Sequence, residues 1–265
     1  MTTQLHKAEL LNRLHEPGNP LIVTNVWDAI SAKIVSEAPG VTALASASHS
    51  VSFAHGVRDN EGLTVDEAIR AARVIVEATD LPVSIDFEKG YAADAAGVGE
   101  NVRRLIEEAG AVGINLEDSL ESATGPQRSI EDSVARVAAA RSAADATGIP
   151  LVINARVDTL AGGGEWTEAV TRANAYLEAG ADVIFFLGLR NEELVTRALA
   201  EVNGRISTIG AAGGVSLERL AELGISRVSF GPQTLGVALA ALQRAATTLT
   251  ARGDYPDDLS FPFEL

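Results

Sequence analysis

Residues 83–88, VSIDFE, carry a run of apolar and small residues straight into two carboxylates, Asp86 and Glu88, with Gly90 just beyond. Burying a carboxylate without a partner costs roughly several kcal/mol, so acids placed where a strand ends point to a cation or a proton to be handled. The pattern recurs. The apolar run 112–116 ends in Glu117 and Asp118, and the run 151–155 ends in Arg156 and Asp158. One such acid could merely cap the next helix. Three strands delivering charge at the same end describe a site.

Outward from that segment the chain alternates short apolar runs with helical patterns. Strands are expected at 21–24, 41–45, 83–86, 112–117, 151–156, 182–186, 206–209 and 227–230. Helices are expected at 27–37, 64–79, 98–109, 130–147, 167–179, 191–202, 216–223 and 235–251, with 46–52 as a loop of small residues. Thr64 and Glu67 have the spacing of a capping box, and Gly110, Gly148, Gly180 and Gly224 stand where helices should stop. The strands are nearly continuous apolar runs, as expected when both faces are buried. Eight such pairs in 265 residues fit one (β/α)8 barrel domain. Residues 252–265 form a short tail, expected to wrap a surface or a neighbouring subunit.

Acidic residues outnumber basic ones, 36 to 21, for a formal charge of -15. That balance argues against a nucleic-acid partner, because phosphate backbones need basic patches. The absence of cysteine excludes disulfides, thiolate zinc sites and a catalytic thiol. Residues 1–16 mix charges into a helical pattern and carry no uninterrupted apolar segment, so a cytoplasmic protein without membrane association is expected.

In a barrel of this kind the chemistry sits at the C-terminal ends of the strands. Those ends present Asn25 and Asp28, Ser46 and Ser48, Asp86 and Glu88, Glu117 and Asp118, and Arg156 and Asp158, with Asp59 in the second loop. A hard cation such as Mg²⁺ takes oxygen ligands, binds few carboxylates directly and keeps several waters. Asp86 is the expected direct ligand, and Asp59, Glu88 and Glu117 are expected to orient its waters. Arg156 could clamp a substrate carboxylate, or form an ion pair with Asp158 or Glu117. Ser46, Ala47 and Ser48 could bring backbone N–H groups to an anionic oxygen, or be a plain tight turn. His49 and His55 could shuttle protons or be surface groups. Lys89 lies among carboxylates, which keep an amine protonated and a poor nucleophile. Gly210, Gly213, Gly214 and Gly231 follow the last two strands, where barrels often hold a phosphate.

The order of motifs NVWDAISA (25–32), ALAS followed by GVRD ending at Asp59, PVSIDFEKGY (82–91), GINLEDS (113–119) and INARVD (153–158) resembles the isocitrate lyase / phosphoenolpyruvate mutase superfamily. The resemblance runs from the first strand to the eighth. It implies a (β/α)8 barrel whose last helix, near 235–251, is exchanged between subunits of a homodimer or homotetramer. It also implies Mg²⁺, or Mn²⁺, and a small α-oxo acid of pyruvate or oxaloacetate type handled through its enolate. Asp86 resembles the metal ligand, and Asp59, Glu88 and Glu117 resemble the acids around the metal's water. Arg156 resembles the carboxylate clamp, and Ser46, Ala47 and Ser48 the substrate cradle. Arg156, Glu117 and Asp59 are thereby the expected catalytic residues.

Departures from the family pattern shape the expectation. The lyases carry a cysteine in a mobile loop after the fourth strand; here that loop, SLESATGPQR (119–128), is short and has none. The Glu and Asn that hold a second carboxylate in those lyases are absent from the ends of strands six and seven. A C–C lyase reaction on a smaller or less charged substrate is therefore expected. P–C chemistry of the mutase or phosphonopyruvate hydrolase type is the alternative, followed by a sugar-phosphate-binding barrel and a non-catalytic scaffold.

Overall fold

In the computed structural model, which describes residues 3–259 and 261, the strands all run parallel. β1 (Leu21–Val23) and β2 (Asn25–Val26) are followed by β3 (Leu44–Ser46), β4 (Val83–Asp86), β5 (Gly113–Glu117), β6 (Val152–Val157), β7 (Val183–Phe186), β8 (Arg205–Ile209) and β9 (Arg227–Ser229). β1 pairs with β9 and β2 pairs with β3, while every other strand pairs with its neighbour in sequence. Only Thr24 separates β1 from β2. Counted as one interrupted strand, they close a barrel of eight.

The helices fall where the caps place them. α1 (Gln4–Leu14) precedes the barrel, and α2 (Ala29–Ser36) starts after Asp28, whose carboxylate accepts from Ser31 N at 2.8 Å. α3 (Ser48–Ala54) begins directly after β3, so the expected loop 46–52 is instead a strand end and a short helix. α4 (Val65–Glu77) has the capping box read from Thr64 and Glu67. α5 (Ala95–Arg104) starts three residues earlier than its apolar stripe suggests, because Asp94 caps it, and it widens into a π-helical turn (Leu105–Ala109) that Gly110 ends. α6 (Ile130–Thr147), α7 (Trp166–Glu178), α8 (Glu192–Glu201), α9 (Leu217–Leu223) and α10 (Gln233–Thr250) follow. The third strand starts at Leu44 rather than residue 41. Val41 N is still engaged in a turn to Ala38 O, and pairing with the next strand begins only where Leu44 N meets Pro82 O.

Two apolar layers hold this together. The larger fills the space between barrel and helices, with Ile69, Val98, Ile114, Val137, Ile184 and Ile206 among its members. The smaller lies inside the barrel at the N-terminal ends of the strands, where α1 folds underneath and inserts Leu11 among Leu21, Ala43, Val152 and Val183. Gly113 leaves room for it: a Cβ would lie 2.7 Å from Leu11 Cδ2, so the leucine would have to shift. The floor is thus closed by apolar side chains, and the acids and Arg156 lie at the other end.

α10 behaves differently from the rest. Leu235 is its only buried residue, while Val237 is 72% and Leu242 67% exposed. The outer face of β1, which an eighth barrel helix would cover, leaves Ile22 37% exposed. The tail folds back where Arg244 meets Asp258 at 2.5 Å; residues 260 and 262–265 lie outside the described residues.

Candidate active site

β4 ends on Asp86, and two neighbours orient it. Asp86 N donates to Ser46 Oγ at 2.8 Å, and Ser48 N, in the first turn of α3, donates to Asp86 Oδ2 at 2.9 Å. Ala47 N donates to Val26 O at 3.3 Å. The backbone donors expected as an anion cradle at Ala47 and Ser48 are therefore engaged within the protein, because α3 starts at once and turns its first amide toward the carboxylate. Asp86 Oδ1 is buried and has no hydrogen-bond partner, and the same holds for Asp59 Oδ1.

Glu88 follows in a strained turn. It and Tyr91 both adopt positive φ, 46° and 54°, which side chains other than glycine tolerate poorly. Gly90 between them has φ 91°, and a Cβ there would come within 2.8 Å of Val98. The turn is fixed from outside: Glu61 N donates to Glu88 Oε2 at 2.5 Å, Tyr91 OH donates to Glu88 Oε1, and Tyr91 N donates to Glu61 Oε1 at 2.7 Å. The loop bearing Asp59 is thereby tied to the loop after β4. Burial lifts the Glu88 carboxyl to about 7; the Tyr91 hydroxyl and the Glu61 amide oppose this, and the charges of Asp86 and Asp59 add to it.

β5 and β6 supply the other half. Arg156 contacts Glu117 at 2.6 Å and grips Asp158 with two bonds, Nε to Oδ1 at 2.6 Å and Nη2 to Oδ2 at 3.0 Å. Register explains the meeting, since Glu117 and Arg156 are paired neighbours on adjacent strands. Ser119 Oγ also donates to Glu117, at 2.9 Å. Burial pushes the Glu117 carboxyl up to about 8, more than Arg156 pulls it down. Burial also works against the charge of Arg156, yet Glu117 and Asp158 together hold its pKa above the usual guanidinium range.

Behind this pair Asp118 is a hub. It accepts from Tyr176 OH at 2.8 Å, from Asp158 N at 3.1 Å and from Gln127 Nε2 at 3.1 Å, with Arg172 3.5 Å away. Gln127 Oε1 in turn accepts from Thr159 at 3.0 Å, so the short loop after β5 is pinned to the loop after β6. Arg128, the basic group of that loop, pairs with Asp132 at 3.1 Å.

The expected residues thus divide. Asp86, Ser46 and Ser48 form one cluster, Glu88 and Asp59 adjoin it, and Glu117 with Arg156 and Asp158 forms the second; Asp86 acts electrostatically on both Glu88 and Glu117. His49 is exposed and stacks on Phe53, and His55 is exposed with its ring on Val51 O. The glycines after β8 border a cleft of about 370 Å³ whose wall includes Leu187, Leu189, Ala211, Ala212 and Val215. Arg190 and Thr208 also line this mostly apolar cleft. Sequence reading assigned no role to Glu61, Tyr91, Ser119 or Tyr176. Tyr91 stood within a quoted motif three residues from Glu88, but the link of its amide to Glu61, 30 residues away in sequence, leaves no local signal.

Among the described residues no three His, Asp or Glu side chains converge as a cage for a metal ion. The two orphaned acceptors, Asp86 Oδ1 and Asp59 Oδ1, fit a different kind of ion: a hard divalent cation that takes one or two carboxylates and keeps its waters.

A closed parallel barrel with acids and an arginine gathered at the strand C-termini has the architecture of a barrel enzyme. The phosphoenolpyruvate phosphomutase family model matches residues 11–250, and the chain belongs to that family, within the isocitrate lyase / PEP mutase superfamily of enzymes. The solved structure of a protein from Burkholderia cenocepacia J2315 is 38% identical, covering 91% of this chain and 99% of that one with a TM-score of 0.86. The petal death protein of Dianthus caryophyllus is 32% identical over 94% of this chain and 80% of its own length. The oxaloacetate decarboxylase of Rhodopseudomonas palustris is 30% identical over 86% and 78%.

Proposed function

We propose that this chain is a Mg²⁺-dependent lyase, able to use Mn²⁺, that acts on a small α-oxo acid through its enolate and breaks or forms a C–C bond. The observation that carries this reading is the pair of buried, partnerless oxygens on Asp86 and Asp59, next to a buried arginine on the neighbouring half of the site. Asp86 would hold the cation, with Asp59, Glu88 and Glu117 accepting from its waters. Bound there, Mg²⁺ would stabilise negative charge developing on the α-oxo oxygen.

The protein's own groups do the rest. Arg156, steadied by Asp158, keeps donors for the substrate carboxylate and is positioned before substrate arrives. Ser46, Ala47 and Ser48, packed against Asp86, would border the substrate on the metal side. Cleavage of the bond between the carbon adjacent to the oxo group and its substituent would leave the electron pair in the enolate and release the substituent as CO₂, or as an aldehyde once its hydroxyl proton is lost. A proton from solvent at the mouth then converts the enolate into the product oxo acid.

P–C chemistry is the second reading, favoured by the family match itself. Against it stands the short loop after β5, whose arginine is already paired. The exposed apolar face of α10 and the uncovered Ile22 support a homodimer or homotetramer in which α10 is exchanged between subunits.

Calorimetric titration of oxalate, a flat mimic of the pyruvate enolate, tests the core of the proposal. Binding should require Mg²⁺ and disappear in Asp86→Ala. Binding of equal strength without metal overturns it. A panel of α-oxo acids and phosphonates then separates C–C from P–C cleavage.

A further inference from the structure

Arg227 is fully buried inside the barrel, on β9. Its guanidinium reaches across the lumen to β4 and β5, with Nη1 3.3 Å from Ser84 Oγ and Nη2 3.5 Å from Asn115 Oδ1. Both contacts are long and both partners are neutral. Nε is buried without a partner. Among the described residues no carboxylate lies within ion-pairing distance of it, whereas buried Arg156 and Arg172 each contact two. A buried, unpaired charge is costly, and a methionine or leucine would fill the same volume without that cost.

The position suggests what the charge does. Ser84 and Asp86 lie on the same face of β4, one strand repeat apart, which is roughly 6.8 Å. The guanidinium therefore sits one layer beneath the Asp86 carboxylate, between the acid-lined mouth and the apolar floor. His15, below it, adds no charge: burial first, and then the field of Arg227, lowers its pKa to about 3. The polar layer at the level of Arg227, with Ser84, Asn115, Asn154 and Ser207, contains no acid to offset its charge, and Asp86 at the mouth is the acid whose charge acts on it.

We infer that Arg227 is a built-in cation of the site, a positioning residue that draws an anionic ligand into the acidic mouth and weakens binding of a divalent cation in the ligand's absence. Metal and anion are thereby favoured together over metal alone. Without Arg227, a dianion would meet the acids gathered at the mouth with one buried cation fewer to oppose them.

This inference rests on the proposed metal and oxo-acid site, and the experiment separates the two. Mn²⁺ is titrated alone, and oxalate is then titrated into the Mn²⁺-loaded protein, for wild type, Arg227→Met and Arg227→Lys, with circular dichroism to check folding. A unit charge about 10 Å away, at an effective dielectric near 20, changes binding of a monovalent ion on the order of tenfold and of a divalent ion on the order of a hundredfold. In Arg227→Met, Mn²⁺ should bind on the order of a hundredfold tighter and oxalate on the order of a hundredfold weaker, while Arg227→Lys stays close to wild type. If Arg227→Met does not fold, Ser84→Asp neutralises the guanidinium in place and should move both affinities in the same directions. A merely structural arginine would weaken both ligands together or change neither, and either result overturns the inference. Wild type that binds neither Mn²⁺ nor oxalate removes the underlying site and the inference with it.

Discussion

Glu117 is subject to opposed influences: burial raises its pKa to about 8, and an arginine at 2.6 Å pulls the other way. A carboxyl whose folded pKa lies above its unfolded value binds more protons in the folded state. Its contribution to stability is full below pH about 4.5 and is lost as pH rises towards 8. Without metal, wild type should therefore lose stability relative to Glu117→Gln across that window, with a slope approaching about 1.4 kcal/mol per pH unit. Urea denaturation at several pH values measures this, and parallel curves for the two proteins would refute it. At this scale the sequence displayed the acids and Arg156 clearly, because charge at the end of an apolar run is a local signal. It did not display their partners. Tyr176 reaches Asp118 from 58 residues away, and Arg227 read simply as the first residue of a strand.

α1 is the element whose role was least apparent from its own sequence. Its pattern predicts a helix, but only the barrel shows that Leu11 is the plug of the floor. Leu11→Ala should cost about 2–5 kcal/mol in chemical denaturation, as large-to-small changes in sealed cores do. Oxalate binding at the opposite end should persist in the folded fraction. An effect below about 1 kcal/mol would mean that the floor collapses onto the vacated space. α3 shows the converse. Residues 48–54, SHSVSFA, are rich in serine, which competes with helical hydrogen bonding, so the segment reads as a loop. It becomes a helix where Asp86 accepts its first amide and Ser50, Val51 and Ser52 are buried. Longer elements with strong stop signals were legible almost to the residue, as α6 between Ser129 and Gly148 shows.

For the whole molecule, the exposed apolar face of α10 supports the proposed assembly of more than one copy. A helix of 18 residues with one buried side chain and several exposed apolar ones is poorly accounted for in an isolated chain. The uncovered Ile22, Ile30 and Ile34, on β1 and α2, offer apolar surface for a second copy's helix. Sedimentation should give a dimer or tetramer for wild type and a monomer for Val237→Asp/Leu242→Asp, with the barrel still folded by circular dichroism. A monomeric wild type would rule out helix exchange. Among the described residues no helix is long and apolar enough to cross a membrane.

The sequence alone determined the alternation of strands and helices, hence the barrel, and the set of acids and the arginine at its strand ends. These features are written in local periodicity and in where charge interrupts it. Tertiary structure decided which acids are paired and which are left open, that the Ser48 amide serves Asp86, and that Arg227 lies uncompensated beneath the mouth. Those outcomes depend on strand register and on contacts across the barrel, between residues that are far apart along the chain.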